Sequence, residues 1–135
     1  MTALFKKLNL KDQAEIVVLN APPSFEPELA ALAGLRIRRR LAEVKVAHFC
    51  LAFVTKQKEV DSLAERVTAK AEGDAILWFA YPKGTSKNYT CDFNRDTGWA
   101  VLAKNGFRGV RQVAIDDDWS ALRFRRTQFV KSESR

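Results

Sequence analysis

Two stretches of the chain, Val44 to Val54 (VKVAHFCLAFV) and Ala75 to Tyr81 (AILWFAY), carry almost no polar residues. A strand with one wet face alternates polar and apolar residues. A strand without that alternation has both faces covered, as in a parallel sheet between helix layers. Between the two runs, Val60, Leu63, Ala64, Val67 and Ala71 fall on one stripe of residues 57–72, with Gly73 as a stop signal. This spacing predicts an amphipathic helix. Strand, helix and strand in that order form a βαβ unit with a right-handed crossover.

The remaining segments extend this unit on both sides. Leu4, Phe5 and Leu8 suit one or two helical turns, and Glu15 to Asn20 (EIVVLN) reads as a strand cut short by Ala21-Pro22-Pro23-Ser24. A helix is expected over Glu26 to Ala33, stopped by Gly34. A half-exposed edge strand follows over Leu35 to Leu41, with Arg36, Arg38 and Arg40 outward and Arg39 breaking the apolar face. Pro82 to Thr90 is a polar loop, and Asn94 is the expected N-cap of a helix from Arg95 to about Lys104. Phe107 to Ile115 and Ala121 to Arg126 pair antiparallel about the turn Asp116 to Ser120. The expected fold class is therefore α/β: a three-layer, Rossmann-like, mostly parallel six-stranded sheet. Its strand order is 2-1-3-4-6-5, closed by a C-terminal antiparallel hairpin. Residues 1–130 form a single domain, and residues 131–135 a frayed tail.

Composition narrows the function classes. A chain of 135 residues suits one core, and 47% hydrophobic with 29% charged residues is ordinary globular usage. No apolar run reaches the length of a membrane span, so no membrane association is expected. The start has no signal-peptide pattern, and the cytoplasm is the expected location. Cys50 and Cys91 form no CxxC, and His48 is the only histidine. The cysteine pattern argues against a disulfide framework, a structural zinc site lacks ligands, and no metal site is expected. His48 is placed mid-strand in the core, on the face of Cys50. The net charge of +7 favours anionic partners: small molecules, acidic proteins or nucleic acid.

The runs LNAPPSF (Leu19 to Phe25), FVT (Phe53 to Thr55), LWFAYPKGTSK (Leu77 to Lys87) and DDDWSALRFR (Asp116 to Arg125) occur in that order. Over roughly residues 4–128 the chain resembles the bacterial family catalogued as domain of unknown function 3052, which has no assigned activity. The resemblance rests on W-x-x-x-P-K-x-x-S-K and W-S-x-L. The layout also resembles a shortened class I methyltransferase, which implies S-adenosylmethionine as cofactor. The residues depart from that pattern. The turn after the first strand has no GxGxG, and the second strand lacks a terminal acidic residue, with Glu43 just beyond. Taken alone, the residues predict no cofactor.

Ligands of open α/β sheets sit outside the carboxyl ends of the strands, at the point where strand order reverses. The rule selects the loops 20–24, 55–57 and 82–87. In the third, Lys83, Thr85, Ser86 and Lys87 suit a phosphate or carboxylate, with Asn20 and Ser24 lining the opposite loop. Against this, Asn20 also suits an Asx-turn before Pro22, and Trp119 suits a hairpin anchor. Asp116, Asp117 and Asp118 suit a solvated turn. Ser120 has no paired histidine, so no catalytic constellation is identified. Arg36, Arg38, Arg40, Arg123, Arg125 and Arg126 form basic stripes without a recognisable nucleic-acid motif. Three readings follow in order. The first is a non-catalytic domain binding an anionic ligand or a protein partner. The second is a minimal methyltransferase-like enzyme, and the third a basic nucleic-acid-binding accessory module. Arginine-rich outer strands disfavour strand-to-strand dimers but permit helix-mediated ones.

Overall fold

The computed structural model describes residues 2–93 and 96–130. The elements in chain order are α1 (Ala3–Lys7), β1 (Glu15–Leu19), α2 (Glu26–Ala30), β2 (Arg36–Arg38) and β3 (Ala47–Phe53). They continue with α3 (Gln57–Lys70), β4 (Ala71–Pro82), α4 (Ala100–Lys104), β5 (Phe107–Ala114) and β6 (Trp119–Arg126). The six strands lie in the order β2-β1-β3-β4-β6-β5. The first four strands of the chain run parallel, and β6 pairs antiparallel with both β4 and β5. The expected order and the closing hairpin are both present.

The absence of alternation in the central strands has its expected cause. Successive residues of β1 enter opposite apolar layers: Val17 and Leu19 join one, Ile16 and Val18 the other. The first layer is roofed by Val60, Leu63, Ala64 and Val67 of α3 and Leu102 of α4. The second is roofed by Phe5 and Leu8 of the amino-terminal helical segment and by Leu29 of α2. Cys50 and Leu51 in β3, and Leu77 and Trp78 in β4, show the same division.

Several boundaries differ from expectation. The second strand pairs over three residues only, Arg36–Arg38. After it, Leu41 folds into a 3-10 turn (Leu41–Glu43) that buries its side chain, so burial of one leucine overrides the alternation. The third strand begins at Ala47 rather than Val44. The long helix ends at Lys70 and β4 starts at once, with Gly73 inside the strand at φ 58°. Ala47 pairs with Ala71 and Phe49 with Ile76, so the register shifts there. The same irregularity turns His48 out to solvent, against its expected core position, while Cys50 stays buried. The helix expected from Arg95 is shorter, Ala100–Lys104, and begins after Trp99. Asn94, its expected cap, and the expected tail 131–135 lie outside the described residues. Among the described residues no helix is long and apolar enough to cross a membrane.

The two thiols differ sharply. Burial pushes the Cys50 thiol up to about 12, and burial foremost also raises that of Cys91, which is only half-buried and open to solvent. Thiolate, not thiol, is the reactive form. An aromatic disulfide reagent at pH 8 is expected to modify Cys91 alone in the native protein. Cys50 should react only as fast as the fold opens. Equal rates at both cysteines would contradict the burial of β3.

Candidate functional site

Strand order reverses between β1 and β3, because the chain leaves β1 for one neighbour and reaches the other after β2. Just beyond the carboxyl ends there stand Asn20, Arg39 and, after Val54, Thr55. Asn20 adopts a left-handed conformation at φ 58°, one that asparagine tolerates better than most residues. Its Nδ2 donates to the Phe53 carbonyl at 3.4 Å, joining the ends of β1 and β3 across the reversal. That cross-strand bond stands where a local Asx-turn was the alternative.

Beside this junction opens a cavity of about 740 Å3, between the segment after β2 and the outer face of α3. Its walls include Leu19, Leu41 and Leu63, and its rim carries Arg39, Arg40, Lys58 and Arg66 with Glu59 as the one acidic group. Four cations against one carboxylate leave a formal lining charge of +4 − 1 = +3. Glu59 is already committed: its carboxylate accepts from the Thr55 N–H at 2.8 Å, the Lys56 N–H at 3.1 Å and the Thr55 hydroxyl at 3.2 Å. These bonds cap the start of α3, and Asp92 completes the cap by accepting from the Gln57 N–H at 2.6 Å. Arg39 is also committed. It forms a two-pronged pair with Glu26, both contacts at 2.8 Å, which holds the Glu26 carboxyl below its usual range. Arg40, Lys58 and Arg66 make no ion pair among the described residues. They are the cations left to meet a ligand.

The loop after β4 is arranged differently. Lys83 and Ser86 border a separate cavity of about 540 Å3 with Tyr81, Tyr89 and Phe93. Ser86 donates its hydroxyl to Asp118 at 2.8 Å and accepts from the N–H groups of Asn88 and Tyr89. The Lys83 N–H donates to the Asp118 carbonyl at 2.8 Å. Asp116 meanwhile accepts from the Asp118 and Trp119 N–H groups, closing the hairpin turn. The two motifs PKGTSK and DDDWS are therefore joined, the Asp118 carboxylate accepting from the Ser86 hydroxyl and the Asn88 amide, while Lys83 and Lys87 form no ion pair among the described residues. Thr85, Lys87 and Ser24 are exposed, and Asn20 is the one expected site residue that borders the larger cavity. Trp119 is buried against Phe53, the rings 5.1 Å apart and nearly perpendicular, which fits an anchor.

Sequence reasoning missed Lys58, Ser62 and Arg66. Their i, i+4, i+8 spacing on the wet side of an amphipathic helix was the available signal. His48 borders a small cavity with Gln13 and Ala14, residues that precede β1, at the opposite strand ends. Among the described residues, no group of three His, Cys, Asp or Glu side chains stands together to share an ion.

No protein-family model matches the chain, which leaves the resemblance to domain of unknown function 3052 without a family match, and no curated protein matches it. Solved structures do. A SAM-dependent methyltransferase from Aquifex aeolicus is 11% identical, with a TM-score of 0.63 over 92% of this chain and 88% of that one. Magnesium protoporphyrin IX methyltransferase from Synechocystis, with bound SAM, is 11% identical, with a TM-score of 0.57 over 92% and 74%. The fibrillarin pre-rRNA processing protein of Methanococcus jannaschii is 11% identical, with a TM-score of 0.54 over 85% and 67%. The fold is methyltransferase-like. Identity this low carries the methyltransferase-like layout alone. In that layout the larger cavity occupies the position the strand reversal selects.

Proposed function

We propose that this chain is a small methyltransferase-like domain that binds an anionic small molecule and does not transfer methyl groups. The observation that carries the reading is the trio Arg40, Lys58 and Arg66, unpaired among the described residues, around a cavity with leucine walls. Its volume of about 740 Å3 suits a ligand of nucleotide or sugar-phosphate size. Phosphate or carboxylate would meet the cations, and an apolar portion would face Leu41 and Leu63.

S-adenosylmethionine, the cofactor of the fold's relatives, fits these residues poorly. It carries a sulfonium, an ammonium and one carboxylate, hence a net positive charge. The cavity lining is itself positive. Pro22 is buried and Pro23 opens a 3-10 turn where a glycine-rich loop would let a cofactor approach the backbone. At the end of β2 stands Arg39, while Glu43 accepts from the Arg39 N–H at 3.3 Å on the following turn. Among the described residues the one carboxylate that borders the cavity is Glu59, which is held by three hydrogen bonds.

Calorimetric titration with adenosine 5′-monophosphate, adenosine and S-adenosylmethionine tests the reading. The monophosphate is expected to bind, adenosine to bind at least tenfold more weakly, and S-adenosylmethionine not to saturate. Arg66→Ala with Lys58→Ala should weaken the monophosphate about tenfold, close to 1.4 kcal/mol. Saturable S-adenosylmethionine binding with a silent monophosphate would overturn it. That outcome favours the second reading, a minimal methyltransferase-like enzyme, for which the fold itself is the supporting observation.

A further inference from the structure

The hairpin of β5 and β6 carries a charge arrangement that folding alone does not favour. Arg111 lies directly opposite Arg123, and Arg108 directly opposite Arg125. Like charges placed across a strand pair are destabilising. A bulge at Val110 shifts the β5 register, so Arg108 and Arg111 share one face although three residues apart. Arg123 and Arg125, two apart, share that face as well. Arg126 is excluded: it faces the other side, its guanidinium 4.8 Å over the Phe107 ring.

Four guanidiniums are thus concentrated on one sheet surface, and among the described residues Asp74 is the one carboxylate paired with any of them. Asp74 holds Arg125 through contacts of 2.8 and 2.7 Å, and Arg111 reaches the Asn9 side-chain oxygen at 3.0 Å. Arg123 is half-buried, and its Nε has no hydrogen-bond partner among the described residues. Burial foremost, then the charge of Arg125, holds its guanidinium below the ordinary value. Arginine on an edge strand deters strand addition, which accounts for Arg108 and Arg111 on β5. It does not account for Arg123 and Arg125, because β6 lies inside the sheet between β4 and β5.

We infer that this β5–β6 face docks the phosphate backbone of a nucleic-acid duplex, gripped by Arg108, Arg111 and Arg123 beside the Asp74-bound Arg125. Planar guanidiniums suit phosphate oxygens, and a polyanion relieves their mutual repulsion. Proteins that hold single strands add aromatic platforms for the bases. Here Val110 is the one exposed large hydrophobic residue among the described ones, so the face reads backbone and not bases. The site is separate from the cavity beside α3 and stands without it.

The test is fluorescence anisotropy with a labelled 20-base-pair DNA duplex, from 25 to 200 mM NaCl. Three neutralised phosphates predict a log–log salt slope of roughly −2.7. Arg108→Glu with Arg111→Glu should raise the dissociation constant at least about tenfold and flatten the slope by about 2. The same variant should melt no lower than wild type, because each glutamate now faces an arginine. Should it fold poorly, Arg108→Gln with Arg111→Gln is expected to give the same weakening at smaller size. Lys45→Glu with Lys104→Glu, an equal charge change elsewhere, should leave more of the affinity. Overturning results are unchanged duplex binding in the hairpin variants, equal loss in the lysine variant, or a flat salt response. Tighter binding of the single strand, or of polyglutamate, overturns the duplex assignment equally.

Discussion

Trp78→Ala is expected to lower stability by about 3–5 kcal/mol, the range for removing a large aromatic from a packed core. Trp78 sits in β4 with no exposed surface, in the layer beneath α1 and α2. Its indole N–H donates to the Leu8 carbonyl at 2.9 Å, which fastens the segment after α1 to the middle of the sheet. Alanine removes the ring contacts and orphans a buried carbonyl together. Trp78→Phe separates the two effects: most of the ring volume remains and the donor is lost, for an expected cost of about 1–3 kcal/mol. Urea unfolding checks both, with the midpoint falling at an unchanged slope. Since whole-domain stabilities are about 5–15 kcal/mol, the alanine variant should lose a large share of its total. A loss below about 1 kcal/mol for the alanine variant would contradict the packing of α1 on the sheet.

Trp78 also shows what the sequence makes legible. Runs such as AILWFAY report burial on both faces directly, because a chain seldom leaves seven such residues to water. From that, strand identity, the βαβ unit and the sheet order follow by general rules of connection. Boundaries were harder wherever tertiary burial competed with local pattern. Leu41 looked like a strand residue by alternation, yet it turns inward on a 3-10 turn and ends β2 after Arg38. Gly73 looked like a helix stop, yet the helix had already ended at Lys70.

The candidate site was legible in place but only partly in composition. The switch-point rule depends on strand order, so without any side-chain knowledge it selected the loop of Asn20, which borders the cavity, but not the lining segments 39–42 and 58–66. In the 83–87 loop the Ser86 hydroxyl, expected to meet a ligand, is given instead to Asp118, which lies far along the chain. That pairing of Ser86 with Asp118 is a long-range contact no local spacing reveals. Charge pairing is hidden from sequence for the same reason. Of the arginines at 38, 39 and 40, the first pairs with Glu15 and the second with Glu26, which leaves Arg40 for the cavity.

The wall bearing Arg40 is held from the far end of α3, and Lys70 is the residue that holds it. Its ammonium donates to the carbonyls of Leu41 and, at 2.6 Å, of Val44, the two ends of the turn that lines the cavity. With β2 pairing over only three residues, little else in the ladder fixes this segment. The position is also favourable for a cation, at the carboxyl end of a helix. Lys70→Met keeps most of the aliphatic stem and removes both bonds. Hydrogen bonds from a charged group predict a cost of about 1.5–3 kcal/mol, read by urea unfolding. Adenosine 5′-monophosphate affinity should fall in the same variant, because Arg40 and Leu41 lose their fixed position. Arg66→Ala is the counterpart, exposed and unpaired among the described residues, and should lower affinity while leaving stability within about 0.5 kcal/mol. If Lys70→Met loses stability but binds the monophosphate unchanged, the turn at Leu41 to Glu43 is not part of the binding wall.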